Sequence, residues 1–274
     1  MAVAPWLDAA AAPTHPRPSA ASPAHPRTSA AARRRRWLPP QHGAWAMLAV
    51  PFAAGLLQGA RWVHLPLLIA WIAGYLASYF ALLAVKTRRL HRVRNRLVAY
   101  GSVAAAAGAI VVWQAPRVLW FAPAFAVLGA VNVVFTRTGR ERSLVNGLAS
   151  VAEACLMALV VPVAAGFSIT DGAPFGHAAW RAFWVCLLYF GGTVPYVKTM
   201  IRERGDRGYR LASTGYHGAA VVLATVVSGW LAAPFAWFLV RAVVLPRRQL
   251  PIMTVGLIEV ANSLLVLGFL AAIR

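Results

Sequence analysis

The residues of this chain best placed to do chemistry are polar groups inside long apolar runs, where a bilayer makes an ionisable side chain costly and therefore a functional candidate. Glu153 lies midway along the run 144–165, and Asn146, Ser150 and Glu153 follow i, i+4, i+7, one face of a helix. Glu259, Asn262 and Ser263 follow i, i+3, i+4 in the run 252–273. Both stripes should point into a bundle. Arg241 near the end of the run 232–245, the i, i+4 pair Lys198 and Arg202 ending 180–199, and Asn132 in 118–135 approach the same depth. His42 and His217 each open a run, each is followed by Gly and Ala, and each comes just after a basic segment.

Two kinds of chemistry fit this set. Each glutamate could neutralise Arg241 or Lys198 in a buried ion pair that fixes helix register. Alternatively, because Arg88, Arg89, Arg137, Arg140 and Arg204 add further cations at that end, an anionic ligand is the natural counterpart. Taken singly, either histidine reads more readily as a hydrogen-bonding residue at a helix start than as a ligand. Axial haem ligation by the two is not favoured, for no attachment motif accompanies them.

The elements that must position these groups follow from hydropathy and charge. Of the residues, 60% are apolar and only 12% charged, with mean hydropathy +0.62, a composition that excludes an ordinary soluble domain. Nine apolar runs are expected to be helices: 42–59, 62–84, 97–113, 118–135, 144–165, 180–199, 214–231, 232–245 and 252–273. Basic residues gather in every second gap, at 33–36, 86–96, 137–142, 198–210 and 247–248, whereas the intervening connections hold only Arg61, Arg117 and Arg181. The positive-inside rule then puts the rich gaps in the cytoplasm, the amino terminus inside, the carboxyl terminus outside and Gly172 external. The eighth run is short, but Arg247 and Arg248 require it to return the chain to the cytoplasmic side.

The expected fold is thus an all-α polytopic transmembrane bundle of about nine helices over 37–274, preceded by a basic, Pro- and Ala-rich disordered cytoplasmic tail over 1–36. The first run reads as a signal anchor rather than a cleaved export peptide. A net charge of +20 lies in short loops beside apolar runs, which favours contact with anionic lipid and argues against nucleic acid as a partner. Cys155 and Cys186 fall inside apolar runs, giving neither a disulfide framework nor a metal spacing. No cofactor and no metal site is expected. Gly191, Gly192 and Pro195 read as a close helix contact with a proline kink, or else as a helix loosened so that carbonyls line a cavity.

The blocks Pro40-Gln41-His42-Gly43-Ala44-Trp45, Tyr196-Val197-Lys198-Thr199-Met200-Ile201-Arg202-Glu203 and Tyr216-His217 resemble the signature blocks of the YwiC-like family of bacterial membrane proteins. That resemblance spans about 37–273. It implies a multi-pass protein of the bacterial plasma membrane and marks Trp45 and Tyr196 as ligand-binding candidates beside His42, Lys198, Arg202 and His217, but it implies no reaction. At the level of fold alone, nine helices with basic loops after the second, fourth, sixth and eighth are similar to the intramembrane prenyltransferases of the UbiA type. Those enzymes hold magnesium against a prenyl diphosphate with two Asp-rich motifs. Here no carboxylate occurs between Asp8 and Glu141, and the second loop keeps only Glu203 and Asp206. The similarity therefore implies at most a metal-independent relative.

Three functions stand open on this reading. One is a lipid-binding protein or enzyme with a cytoplasm-facing basic cavity for an anionic, lipid-linked ligand. Another is a small-anion transporter coupled to protons through Glu153 or Glu259. The third is a membrane subunit or assembly factor that docks a cytoplasmic partner. The first is preferred, with a closed outer side. It requires His42, Asn132, Glu153, Lys198, Arg202, His217, Arg241 and Glu259 to converge.

Overall fold

In a computed structural model of the chain, the described residues are 37, 42–170 and 177–273, with the side chains of His42 and Gly43 excepted. The tail over 1–36, Pro40, Gln41 and Gly172 lie outside them. The chain divides into two units, Met1–Trp37 and Leu38–Arg274. Within the second, the described residues form ten α-helical segments and no strand: α1 (His42–Leu56), α2 (His64–Thr87), α3 (Arg94–Gln114), α4 (Ala122–Arg137), α5 (Leu144–Cys155), α6 (Met157–Ala164), α7 (Ala178–Ile201), α8 (Arg207–Val227), α9 (Ala232–Val244) and α10 (Ile252–Ala272). Since α5 runs on into α6 through Leu156, these make nine rods, the number that hydropathy predicts.

Six stretches are long and apolar enough to cross a membrane: His64–Thr87, Arg94–Gln114, Pro116–Arg137, Leu144–Ala164, Gly229–Arg247 and Ile252–Ala272. Short 3-10 turns at both ends lengthen α9 to 19 residues, which resolves the shortness of the eighth run. The stretch Pro116–Arg137 has hydropathy 2.1, yet only 6% of it is buried within the protein. So apolar a surface, so little covered, belongs against lipid. Trp62, Trp113, Trp120 and Trp230 are all exposed at the connections that lack basic clusters, where an indole suits a membrane–water interface. The chain is a polytopic helical bundle.

Capping residues set several helix starts that apolarity alone does not mark. The Ser143 side chain accepts from the Asn146 amide and opens α5, and His177 accepts from the Ala179 amide and opens α7. Asp206 accepts from the Tyr209 amide and starts α8 at Arg207, seven residues before the apolar run. This corrects the expected position of His217, which sits three turns inside α8 rather than at its start.

At the centre is α7, which packs against α1, α5, α6, α8 and α10. Close approach there depends on glycine. A Cβ at Gly191 would stand 2.4 Å from the Tyr216 hydroxyl oxygen, and one at Gly192 would stand 2.9 Å from the Tyr216 ring and 3.0 Å from His217 Nε2. The helix continues unbroken past Pro195 to Ile201. The geometry is thus the packing contact, and the loosened helix is not observed. On the other side of the bundle, Gly55 meets Val161 in the same way, with 2.6 Å left for a Cβ. Next to that contact His64 is buried, its Nδ1 accepting from the Arg61 amide at 3.0 Å and its Nε2 donating to the Val161 carbonyl at 2.9 Å.

Candidate functional site

Four helices supply one buried polar centre. Arg241, on α9, is 1% exposed and donates through Nη1 to Glu259 Oε1 on α10. Its guanidinium carbon lies 4.2 Å from the ring centroid of Tyr196 on α7 and 5.4 Å from that of Phe238, so aromatic faces take the place of water around the charge. Glu259 Oε2 faces Thr193 Oγ1 at 3.1 Å and Tyr189 Oη at 3.4 Å, both from α7. Tyr189 also donates to the Glu259 carbonyl at 3.0 Å, and Ser263 donates to the same carbonyl at 2.7 Å.

His217, from α8, completes the group. Its Nδ1 lies 2.7 Å from the Ser213 carbonyl and its Nε2 lies 3.4 Å from Arg241 Nη2. A carbonyl can only accept and a guanidinium can only donate. The imidazole is therefore neutral, protonated at Nδ1, with its Nε2 lone pair turned to the arginine. The centre as a whole carries one cation and one carboxylate. Arg241 Nε, Tyr196 Oη and Ser213 Oγ are buried without a protein partner and leave it further hydrogen-bonding capacity.

A second group lies between α4 and α5. Asn132 Nδ2 donates to Glu153 Oε2 at 3.0 Å and to the Leu128 carbonyl at 3.2 Å, while Ser150 Oγ donates to Asn132 Oδ1 at 2.9 Å. No hydrogen bond or ion pair among the described residues joins this group to the arginine centre. The expected convergence thus resolves into two groups, Arg241, Glu259, His217 and Tyr196 in one, Asn132 and Glu153 in the other. Of the two glutamates only Glu259 has a basic partner.

The remaining candidates fall elsewhere. Lys198 turns outward, its Nζ donating to the Arg142 carbonyl at 2.7 Å and lying 5.7 Å from the Tyr209 ring centroid. Arg202 is exposed at the end of α7. Trp45 is half-buried with its ring edge-on to Tyr75 at 6.2 Å. His42 begins α1, but its side chain lies outside the description. Tyr189 and Thr193 escape a search for charged residues, although Tyr189, Thr193 and Tyr196 stand at i, i+4, i+7 and share one face of α7.

At the end of the bundle that carries the basic clusters, side chains stitch the connections together in series. Lys86 pairs with Glu141, Lys198 reaches the Arg142 carbonyl, and Arg204 donates to the Met200 carbonyl at 2.7 Å and the Leu250 carbonyl at 3.4 Å. The connections after α2, α4, α7 and α9 therefore form one contiguous basic face. At the opposite end an open cavity of about 510 Å³ is lined by Leu57, Gln58, Phe167, His177, Arg181 and Ile273, among others.

Comparison with known proteins gives the lineage. The family model for YwiC-like proteins matches residues 38–162. The chain is 32% identical over 228 residues to the uncharacterised protein YwiC of Bacillus subtilis, covering 82% of this chain and 93% of that one. It is 36% identical over 226 residues to an uncharacterised protein of Haemophilus influenzae, covering 81% and 91%. No solved structure matches, so the likeness to UbiA-type prenyltransferases stays a resemblance of helix count and loop charge. With two such relatives matched over nearly their whole length, the chain belongs to the YwiC-like protein family.

Proposed function

We propose that the protein is an anion-binding protein of the bacterial plasma membrane, with its basic face in the cytoplasm and an anionic, lipid-linked ligand held there. The observation that carries this is the continuity of the basic face. Six basic residues at 86–96, three at 137–142, five at 198–210 and two at 247–248 are joined through their connections, against only Glu141, Glu203 and Asp206. Such a single-sign surface attracts phosphate strongly, and Arg supplies the paired donors that phosphate geometry suits. Arg241 takes no part, since Glu259 already neutralises it. Anion binding therefore rests on Lys198, Arg202 and the loop arginines, nearer the headgroup region than the arginine centre. The apolar flanks of α2 to α4 offer a resting place for a lipid tail.

Native mass spectrometry of the full chain released from mild detergent tests this. An anionic lipid should stay bound through delipidation, and the combined variant Lys198→Ala, Arg202→Ala, Arg204→Ala should lose it while keeping its helical content. Retention of zwitterionic and anionic lipids alike would count against the reading.

A further inference from the structure

Glu153 and Glu259 sit in comparable apolar rods but are treated differently by the fold. Arg241 answers the second. The first receives one hydrogen bond, from Asn132 Nδ2, and the orientation of that amide is fixed because its other N–H donates to the Leu128 carbonyl, which can only accept. Among the described residues no cation faces Glu153 from the elements around it. The one cation of α4 is Arg137, five residues beyond Asn132 at the end of the helix and exposed, while on α7 Lys198 is held at the Arg142 carbonyl and Arg181 lies toward the opposite end. Of the titratable groups nearby, Cys155 and Cys186 are buried thiols, Tyr189 is turned to Glu259, and Tyr196 faces Arg241. The described side chains of α1 and α6 bear no charge. An ionised carboxylate in an apolar rod, with one amide bond and no counter-ion, is among the costliest states a membrane protein can hold.

A row of polar groups also leads from the basic face toward Glu153. Asn146 Nδ2 donates to the Glu141 carbonyl at 2.9 Å, in the connection on the basic face. Ser150 Oγ then contacts the Asn146 carbonyl at 3.1 Å and Asn132 Oδ1 at 2.9 Å, and Asn132 meets Glu153. Asn146 Oδ1, buried on the same helix, has no protein partner.

We propose that Glu153 is a reversible proton-binding site, hydrogen-bonded by Asn132 and reached from the basic face along Asn146 and Ser150. The proton bonds to Glu153 Oε1 and leaves to water on that face, while Oε2 keeps the amide of Asn132. The proposal does not depend on the anionic-ligand reading, and its test uses no ligand, so each can fail without the other.

Infrared titration of the full chain in lipid nanodiscs tests it. The carbonyl stretch of a protonated carboxylic acid should be present at neutral pH, fade as pH rises, be absent in Glu153→Gln and reappear displaced in Glu153→Asp. Because glutamine is a neutral near-isostere that can still accept from Asn132, Glu153→Gln should melt within a degree or two of the unaltered chain. Spectra of the unaltered chain and Glu153→Gln that superimpose at every pH would overturn the proposal. A band abolished at constant pH by sodium ions would also overturn it, making the site one for a metal cation instead. Should Glu153→Gln fail to fold, the Glu153→Asp displacement alone decides.

Discussion

Arg241 on α9 and Glu259 on α10 form a buried ion pair in which the carboxylate is held by two further hydroxyls of α7, those of Thr193 and Tyr189, and the guanidinium lies against Tyr196 and Phe238. Removing one partner should leave the other charge without compensation, at a cost of about 3–5 kcal/mol. Glu259→Gln is therefore expected to lower the melting temperature sharply, whereas Glu153→Gln leaves it nearly unchanged. The double variant Arg241→Met, Glu259→Leu, which removes both charges and keeps volume, should recover most of the loss. Thermal melts in one detergent compare all three, and equal melting temperatures for the two single glutamine variants would refute the assignment.

Glycines at the α7–α8 contact should respond unlike those facing outward. Gly192→Ala would push a methyl into Tyr216 and His217, and overpacking of that kind costs about 1–3 kcal/mol. Gly74 on α2 and Gly108 on α3 have nothing within 4 Å of a Cβ, so alanine there should stabilise slightly, by about 0.5–1 kcal/mol through helix propensity. Chemical denaturation of the three variants reads the difference. A tolerated Gly192→Ala would mean that α8 packs elsewhere.

Number and spacing of the rods were legible because apolar runs and alternating charge are one-dimensional signals. The pairing of polar groups was not. Depth along a helix can be read only approximately from sequence. Which helices are neighbours is a property of packing, and α7 standing between the two sides of the bundle is what separates Glu153 from Arg241. The start of α8 escaped for another reason: Arg207, Arg210 and Ser213 interrupt the apolar run, so hydropathy hid a helix that the Asp206 cap initiates.

Orientation follows from the same charge alternation and is open to a direct check. A cysteine placed at Gly205 should react with a membrane-impermeant maleimide only after the membrane is opened, and one placed at Ser168 should react in intact cells. Background is expected to be low because Cys155 and Cys186 are both buried. Labelling of both positions from one side would invalidate the assignment of the basic face to the cytoplasm.

The Lys86–Glu141 pair, which ties the α2–α3 and α4–α5 connections together, is the one element of the basic face with an evident acid dependence. Its side chains are 49% and 26% exposed, so solvent screening limits its contribution to at most about 1 kcal/mol. The hydrogen bond from Lys86 holds the Glu141 carboxyl below the usual carboxylate range. A carboxyl depressed in the folded state binds fewer protons than in the unfolded chain, so its stabilisation is fully present above the ordinary value, about 4.3 for glutamate, and is lost as pH falls through the folded value. Glu141→Gln should accordingly melt slightly lower than the unaltered chain at neutral pH, and the gap should close on acidification below about pH 4. The gap should also shrink in high salt, as expected for a surface pair. Melting curves of the two proteins from neutral to acid pH provide the measurement, and a gap that widens toward acid would show that Glu141 is held by something other than the Lys86 ammonium.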